Sequence, residues 1–480
     1  MPNTFFITTP IYYVNDVPHI GHAYTSIACD FIARYKRMSG VETIFLTGTD
    51  EHGQKIQKAA EKNNISPLDL CNKNSKKFND LTKILNLSND DFIRTTEERH
   101  KVGAKTLWKK LLASGDVYLG NYEGWYSIND ETFYNEKDLI KQSDSSFKTI
   151  TGGPVEWIKE ESYFFRLSKY ADRLIEYYKN NPDFILPQSR KNEVISFVKG
   201  GLKDLSISRN TFDWGIQVPD DEKHVMYVWL DALSSYPNSL GYITDDKPEL
   251  KKYWENATHI VGKDILRHHA VYWPAFLMSA NLILPKRIFA HGWWTNEGNK
   301  ISKSLGNVID PVEIIKDYGL DQIRYFLLRE ITFGSDGDFS LTALKSRINA
   351  DLSNDLGNLC QRSLTMISKH CDSIIPDGKN INEKEKELLD RITSESERFS
   401  KMVNEQNINN YVKDVWEIIG DANKYFNDNK PWELKDNNVD KFKTILYVTA
   451  DIIKQIAIMI YPIMPDTSIK ILGLFSINEK

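Results

Sequence analysis

The spacing of apolar residues changes period twice within the first fifty positions. Thr4-Phe5-Phe6-Ile7-Thr8-Thr9 is a β-branched and aromatic run and reads as a strand. From His22 to Met38, Ile27, Ala28, Phe31, Ile32 and Tyr35 recur at helical spacing. Val41 to Thr47 returns to strand character and ends in the polar run Gly48-Thr49-Asp50-Glu51-His52-Gly53. Strand, turn, helix, strand is the opening of an α/β fold with a parallel sheet. Ligands of such sheets bind beyond the carboxyl ends of the strands.

Residues 115 to 225 have another texture, rich in Tyr, Trp, Glu and Gly with short alternating runs such as Glu123-Gly124-Trp125-Tyr126-Ser127. This predicts an inserted module of strands and short helices. Alpha/beta character then resumes. Val225 to Leu230 reads as a buried strand ending in Asp231-Ala232. Thr258 to Asp264 reads as a strand leading into a helix with His268, His269, Tyr272 and Trp273, and Arg287 to Trp293 as a third strand. From about 345 onward the apolar spacing is three and four throughout, as in Leu352, Leu356, Leu359 and Val415, Ile418, Ile419, Ala422, which predicts an antiparallel helical bundle.

Composition adds bounds. A chain of 480 residues exceeds one ordinary core, and roughly three domains is the expectation. The net charge of −5 argues against a generally basic nucleic-acid binder, though phosphate contacts need only a local basic face. The cysteines Cys29, Cys71, Cys360 and Cys371 form no C-x-x-C pair, which gives a structural zinc site little support and suits a reduced, cytoplasmic protein. The N-terminus has neither a signal nor a transit pattern. The apolar stretch Ile445 to Met464 is interrupted by Asp451 and Lys454 and reads as a core helix, so no membrane partner is expected.

Candidate chemistry sits at two places. Pro18-His19-Ile20-Gly21-His22 lies between the first strand and the first helix. Gly21 allows close backbone approach to a ligand, and the helix start offers N–H groups and a positive dipole end to an anion. Two histidines there can hold the triphosphate of ATP. The second place is Lys300-Ile301-Ser302-Lys303-Ser304 between Gly298 and Gly306, a loop able to reach a polyphosphate and to move. On the residues alone, a nucleotidyltransferase also satisfies the first motif.

The two motifs together, in a split α/β fold, resemble the paired signatures of class I aminoacyl-tRNA synthetases. Further segments are similar to the methionine branch of that family: Phe6 to Asp16, Phe45 to Gly53, Tyr227 to Leu233, Gly262-Lys263-Asp264-Ile265 with His269, and His291-Gly292-Trp293. Asn429-Lys430-Pro431-Trp432 resembles its anticodon-reading corner. The likeness spans residues 4 to 440 or so.

The fold it implies is α/β, with a Rossmann-like parallel sheet split by an inserted connective module and followed by a C-terminal α-helical anticodon-binding bundle. The segments are 1–114 and 226–292 for the two catalytic halves, 115–225 for the insertion, 293–345 for the lysine loop and stem-contact segment, and 346–480 for the bundle.

The activity it implies is ligation of methionine to its tRNA, elongator and initiator alike, with ATP and magnesium. His19, His22, Lys300 and Lys303 would be catalytic, stabilising charge on the phosphates. Tyr12, Gly21, His22, Asp264, His291 and Lys303 would bind ATP. Ile11, Tyr13, Trp229, Ala232, Leu233, Tyr236, His269 and Trp273 would enclose methionine, with Asp50 on its ammonium and Arg209 orienting Asp50. Asn358 and Arg362, four apart on one predicted helix, and Trp432 would read the anticodon.

Two departures bear on this. Ile301 stands where the family usually has methionine, a volume-conserving change. Residues 115–225 contain no cysteine, so the zinc knuckle of many relatives is expected to be absent. The chain stops soon after the bundle, which implies a monomer. The other class I candidates fit less well: about 110 residues cannot hold the editing insertion of the leucine, isoleucine and valine enzymes, and the zinc ligands of the cysteine enzyme are missing.

Overall fold

The computed structural model describes residues 3–15, 17–128, 132–144, 146–150, 152–301 and 307–477. Packing divides the chain into two compact units: Met1–Pro18 with Gly40–His291, and His19–Ser39 with Gly292–Lys480.

The first unit is built on a seven-stranded parallel sheet. Its order is Ile185–Leu186, Arg287–His291, Ala257–Gly262, Thr4–Thr8 and Glu42–Asp50, with Tyr12–Tyr13 and Asp91–Arg94 both paired to Glu42–Asp50. Every residue of Thr4–Thr8 is buried, as a central strand covered on both faces requires. Gly48 is needed where Glu42–Asp50 meets its neighbour, since a Cβ there would lie 2.0 Å from the carbonyl oxygen of Ile93. The strand continues to Asp50 and so fixes that carboxylate on regular backbone, where the sequence reading had a loop.

Residues 117–206 contribute a four-stranded antiparallel sheet, Leu205–Ser206, Glu156–Phe165, Val117–Ser127 and Thr132–Tyr134. Its far end is aromatic: the Trp125 ring lies 4.9 Å from Phe147 and 5.2 Å from Trp157.

One strand expectation fails. Val225 to Leu230 is divided between a strand, Asp221–Met226, and a helix, Val228–Ser239. Almost every residue of that helix is buried, polar ones included, so no apolar stripe at helical period marks it.

The second unit joins the helix Ile20–Met38 to the C-terminal helices. Asp30, fully buried, accepts from Arg34 Nε and Arg324 Nη2, both at 2.7 Å. Arg324 also donates to the carbonyls of Ile463 and Pro462 at 2.9 and 3.0 Å. A buried carboxylate is tolerated because two guanidinium groups satisfy it, while the backbone carbonyls take up further donors of Arg324. Phe31 and Tyr35 stack edge-on against Tyr411 of the helix Ile408–Asn429. The sequence reading grouped this first helix with 1–114, yet these are its packing partners. The helix Val439–Ile460 has a continuous buried face and is the core helix expected from 445 to 464. No helix among the described residues is long and apolar enough to cross a membrane.

Candidate functional site

His19 is not a loop residue beside the first helix but its N-cap. Its Nδ1 accepts the Gly21 N–H at 3.1 Å, while its own N–H donates to Nδ1 of His22 at 3.0 Å. This reciprocal capping satisfies two backbone donors at the helix start. It also fixes the chemistry of both rings. With each Nδ1 accepting, the proton of each neutral imidazole is on Nε2. The ring centroids are 3.8 Å apart. Burial, and then the neighbouring His19, hold the His22 imidazole well below its usual range, so it is an uncharged donor at neutral pH. Gly21 permits the arrangement, since a Cβ there would come within 2.9 Å of His19 Cε1.

The lysine loop is tied to the same helix. Thr295 pairs with Lys300 in an antiparallel strand pair. On the loop's far side the Asn307 carbonyl accepts from Asn296 Nδ2 at 2.9 Å, and the Ile309 carbonyl accepts the Ile20 N–H at 3.1 Å. The loop's base is therefore held at the first turn of the His19 helix. Lys303 lies outside the described residues, and for Lys300 the backbone pairing alone is described.

The first unit gathers most of the residues expected around methionine. Asp50, buried at 8% exposure, is in parallel register with Tyr13 of the adjoining strand. Trp229, Ala232, Leu233 and Tyr236 recur at three- and four-residue spacing on the helix Val228–Ser239. The Trp229 ring lies flat on His268, centroids 3.8 Å apart. Tyr236 Oη is 2.7 Å from His269 Nε2, and His269 Nδ1 is 3.0 Å from the Ile265 carbonyl. The carbonyl can only accept, so Nδ1 carries the proton and Nε2 accepts from the tyrosine hydroxyl. Burial brings His269 down to about 4, the hydrogen bond to Ile265 opposing it weakly. The Nε1 atoms of Trp229 and Trp273 and both ring nitrogens of His268 are buried with no hydrogen-bond partner among the described residues.

Other expected residues have different surroundings. Tyr12 stacks on Phe78, ring centroids 5.6 Å apart, within a small cluster with Val14, Ile56 and Cys71. Asp264 is exposed in the turn after the strand Ala257–Gly262, and His291 ends its strand buried. Arg209 pairs with the buried Glu160, lies over the Tyr126 ring at 4.1 Å and donates to Thr211 at 3.2 Å. Its hydrogen bond and ion pair thus stay within the inserted module, where the sequence reading had it orienting Asp50.

In the second unit, Lys430 adopts a left-handed conformation, φ 43°, and ends the helix Ile408–Asn429. Pro431 restarts the chain and leaves Trp432 39% exposed. The Arg362 guanidinium lies 5.3 Å from the Trp432 centroid and 5.0 Å from that of Phe426, and donates to Asn427 Oδ1 at 2.8 Å. Asn358 is exposed at the start of the same helix as Arg362. A cation stacked on an exposed indole makes a flat, donor-rimmed surface for an unstacked base.

Sequence reasoning placed His268 on a helix but gave it no role; it lies in a wide π-helical turn, His268–Tyr272, and stacks on Trp229. The same reasoning missed His52, His100 and Asp231, a buried cluster described below. His52 and Asp231 lie inside segments already singled out, which was the available signal.

Comparison with known proteins identifies the family. The profile of class I tRNA synthetases (M) matches residues 5–143 and 141–364, and that of the anticodon binding domain of methionyl tRNA ligase matches 375–480. A methionine–tRNA ligase of Rickettsia conorii is 51% identical over 100% of this chain and 94% of its own. One from Brucella suis is 50% identical over 98% and 92%. The Mycobacterium tuberculosis methionyl-tRNA synthetase in complex with methionyl-adenylate superposes with a TM-score of 0.95 at 48% identity, covering 98% of this chain and 93% of that one. Its apo form gives 0.87 at 46% identity over 98% and 91%. The chain belongs to the methionyl-tRNA synthetases, within the class I aminoacyl-tRNA synthetase family.

Proposed function

We propose that this chain ligates methionine to its tRNA in two steps. The methionine carboxylate attacks the α-phosphorus of ATP, forming a carboxyl–phosphate anhydride and expelling pyrophosphate. A ribose hydroxyl of the tRNA's terminal adenosine, the 2′ hydroxyl in class I, then attacks the carbonyl carbon and AMP leaves. The attacking carboxylate is already an anion, so no protein nucleophile is required. Catalysis is positioning and stabilisation of phosphate charge.

The observation that carries the reading is the reciprocal cap of His19 and His22. It aims Nε2 of both rings away from the backbone at a helix start, and burial keeps His22 free of the positive charge that would hold ground-state ATP equally well. Lys303, with Lys300 assisting, holds the departing pyrophosphate. The tie between Ile309 and Ile20 supports that pairing of motifs. Gly21, Asp264 and His291 contact ATP; Tyr12 contributes through its backbone, since its ring is packed on Phe78. Magnesium would arrive with the nucleotide and offset phosphate charge, with no residue of this chain assigned to hold it.

Methionine's ammonium pairs with Asp50. Its thioether rests among Ile11, Tyr13, Trp229, Ala232, Leu233 and Trp273, beside the Tyr236–His269 pair, which spends the tyrosine proton internally. Asn358, Arg362 and Trp432 read the anticodon, which initiator and elongator methionine tRNAs share. In the inserted module, packing of Trp125, Phe147 and Trp157 takes the place of a zinc knuckle. The protein acts as a cytoplasmic monomer. Charging of a methionine tRNA transcript tests the reading as a whole: the transcript accepts methionine with ATP and magnesium, and one with an altered anticodon does not.

A further inference from the structure

A second buried cluster in the first unit has no part in the roles above. Asp231 is fully buried on the helix Val228–Ser239. Its Oδ2 lies 2.6 Å from Nδ1 of His52 and its Oδ1 lies 2.5 Å from Nε2 of His100. His52 follows Asp50 by two residues, and His100 is on the helix Glu98–Ala113.

The His100 end is itself clamped. Asn238, about two turns beyond Asp231 on the same side of the helix, donates to the His100 carbonyl at 3.2 Å, and its Nδ2 lies 3.4 Å from the ring's Nδ1. Gly103 makes room for this: a Cβ there would lie 2.0 Å from Asn238 Oδ1, so any side chain would part the two helices. Burial would raise the Asp231 carboxyl, but the two histidines more than reverse this and bring it to about 2. The carboxylate therefore stays ionised and accepts on both oxygens at once.

Asp231 points away from the face that carries Trp229, Ala232, Leu233 and Tyr236, as helical spacing dictates. One oxygen fixes the back of that helix to the His100 helix. The other fixes it to the chain two residues beyond Asp50. We infer that Asp231, through His52 and His100, is a positioning residue that sets the distance between the Asp50 carboxylate and the helix face receiving the methionine side chain. This rests on the assignment of Asp50 to the substrate ammonium. A buried carboxylate with both oxygens engaged by separate elements has one arrangement, which is what selection by simultaneous contact at both ends of a small, flexible substrate demands.

Two ligands separate this role from a general contribution to stability. Methioninol carries the thioether chain and the ammonium; 4-(methylthio)butan-1-ol carries the same chain and hydroxyl without the ammonium. The ratio of their dissociation constants measures how well Asp50 and the side-chain face are engaged together. In Asp231→Asn the amide offers one acceptor and one donor to two imidazole N–H groups, so one contact turns repulsive. The ratio is expected to fall at least tenfold, while the butanol weakens less than threefold. His52→Gln, which keeps the helix pair intact, is expected to reduce the ratio in the same direction and keeps the test decisive should the Asp231 variant fail to fold. An unchanged ratio in a folded variant, with both ligands weakened alike or not at all, overturns the proposal. A wild-type protein that binds the two ligands equally overturns the Asp50 assignment and the proposal with it.

Discussion

The backbone N–H of His19 donates to Nδ1 of His22 at 3.0 Å, and this single bond decides which nitrogen of His22 holds its proton. A ring pinned in this way donates through Nε2 while neutral. The pH dependence follows with a definite sign. The His22 imidazole is held below its usual range, so the neutral form persists at and above pH 6.5. Activation is expected to show no loss as pH rises from about 6.5 to 8.5. A descending limb centred near 6.5 in kcat for pyrophosphate exchange would mean that the imidazolium is the working form.

Tyr236 and His269 form a closed donor–acceptor pair in the methionine-binding region. Tyr236→Phe leaves His269 Nε2 buried and without its donor, at a cost of about 1–3 kcal/mol. The expected result is a rise in KM for methionine of roughly tenfold or more, with KM for ATP unchanged. Steady-state exchange with each substrate varied in turn reads this directly.

Arg362 stacked on Trp432 predicts a loss confined to the tRNA step. Base–aromatic stacking is worth about 1–3 kcal/mol. Trp432→Ala and Arg362→Ala are each expected to lower kcat/KM for methionine tRNA by roughly tenfold to a hundredfold, and to leave methionine-dependent exchange without tRNA unaltered. An equal drop in both assays would remove this corner from anticodon recognition.

Acid stability provides a test independent of activity. Burial depresses His259, His268 and His269, the last to about 4. Between about pH 6.5 and 4 the unfolded chain therefore binds protons that the folded chain does not, and stability falls as pH falls. Unfolding at pH 5.5 is expected to take up roughly two to three protons from these groups. Asp231 works in the same direction, but its contribution is lost only as pH falls from about 3.9 towards 2, outside this window. Thermal midpoints measured from pH 7.5 to 5 should decline steadily; a flat profile would contradict the burial of these rings as neutral bases.

Much of this was legible in the chain. The strand Thr4–Thr8 and the bundle helices announce themselves because their apolar residues keep one period. The helix Val228–Ser239 was hidden because it is buried all round, so period carries no signal there. The capping role of His19 was hidden for a different reason. Composition marks a histidine as a possible phosphate donor, whereas which of its nitrogens is spent on backbone depends on geometry three residues away. Arg209 shows a third limit. Its charge suggested a carboxylate partner, and it has one, but the partner is Glu160 from a strand nearly fifty residues distant in sequence. The His52–Asp231–His100 cluster joins three segments separated in the same way, and spacing alone could not assemble it.

Amino-acid-dependent exchange of labelled pyrophosphate into ATP, run with each of the twenty amino acids in the absence of tRNA, tests the central claim most directly. The account predicts exchange with methionine far above every other amino acid, and its loss in His22→Ala with methionine binding retained. No exchange with methionine, or stronger exchange with another amino acid, would contradict it.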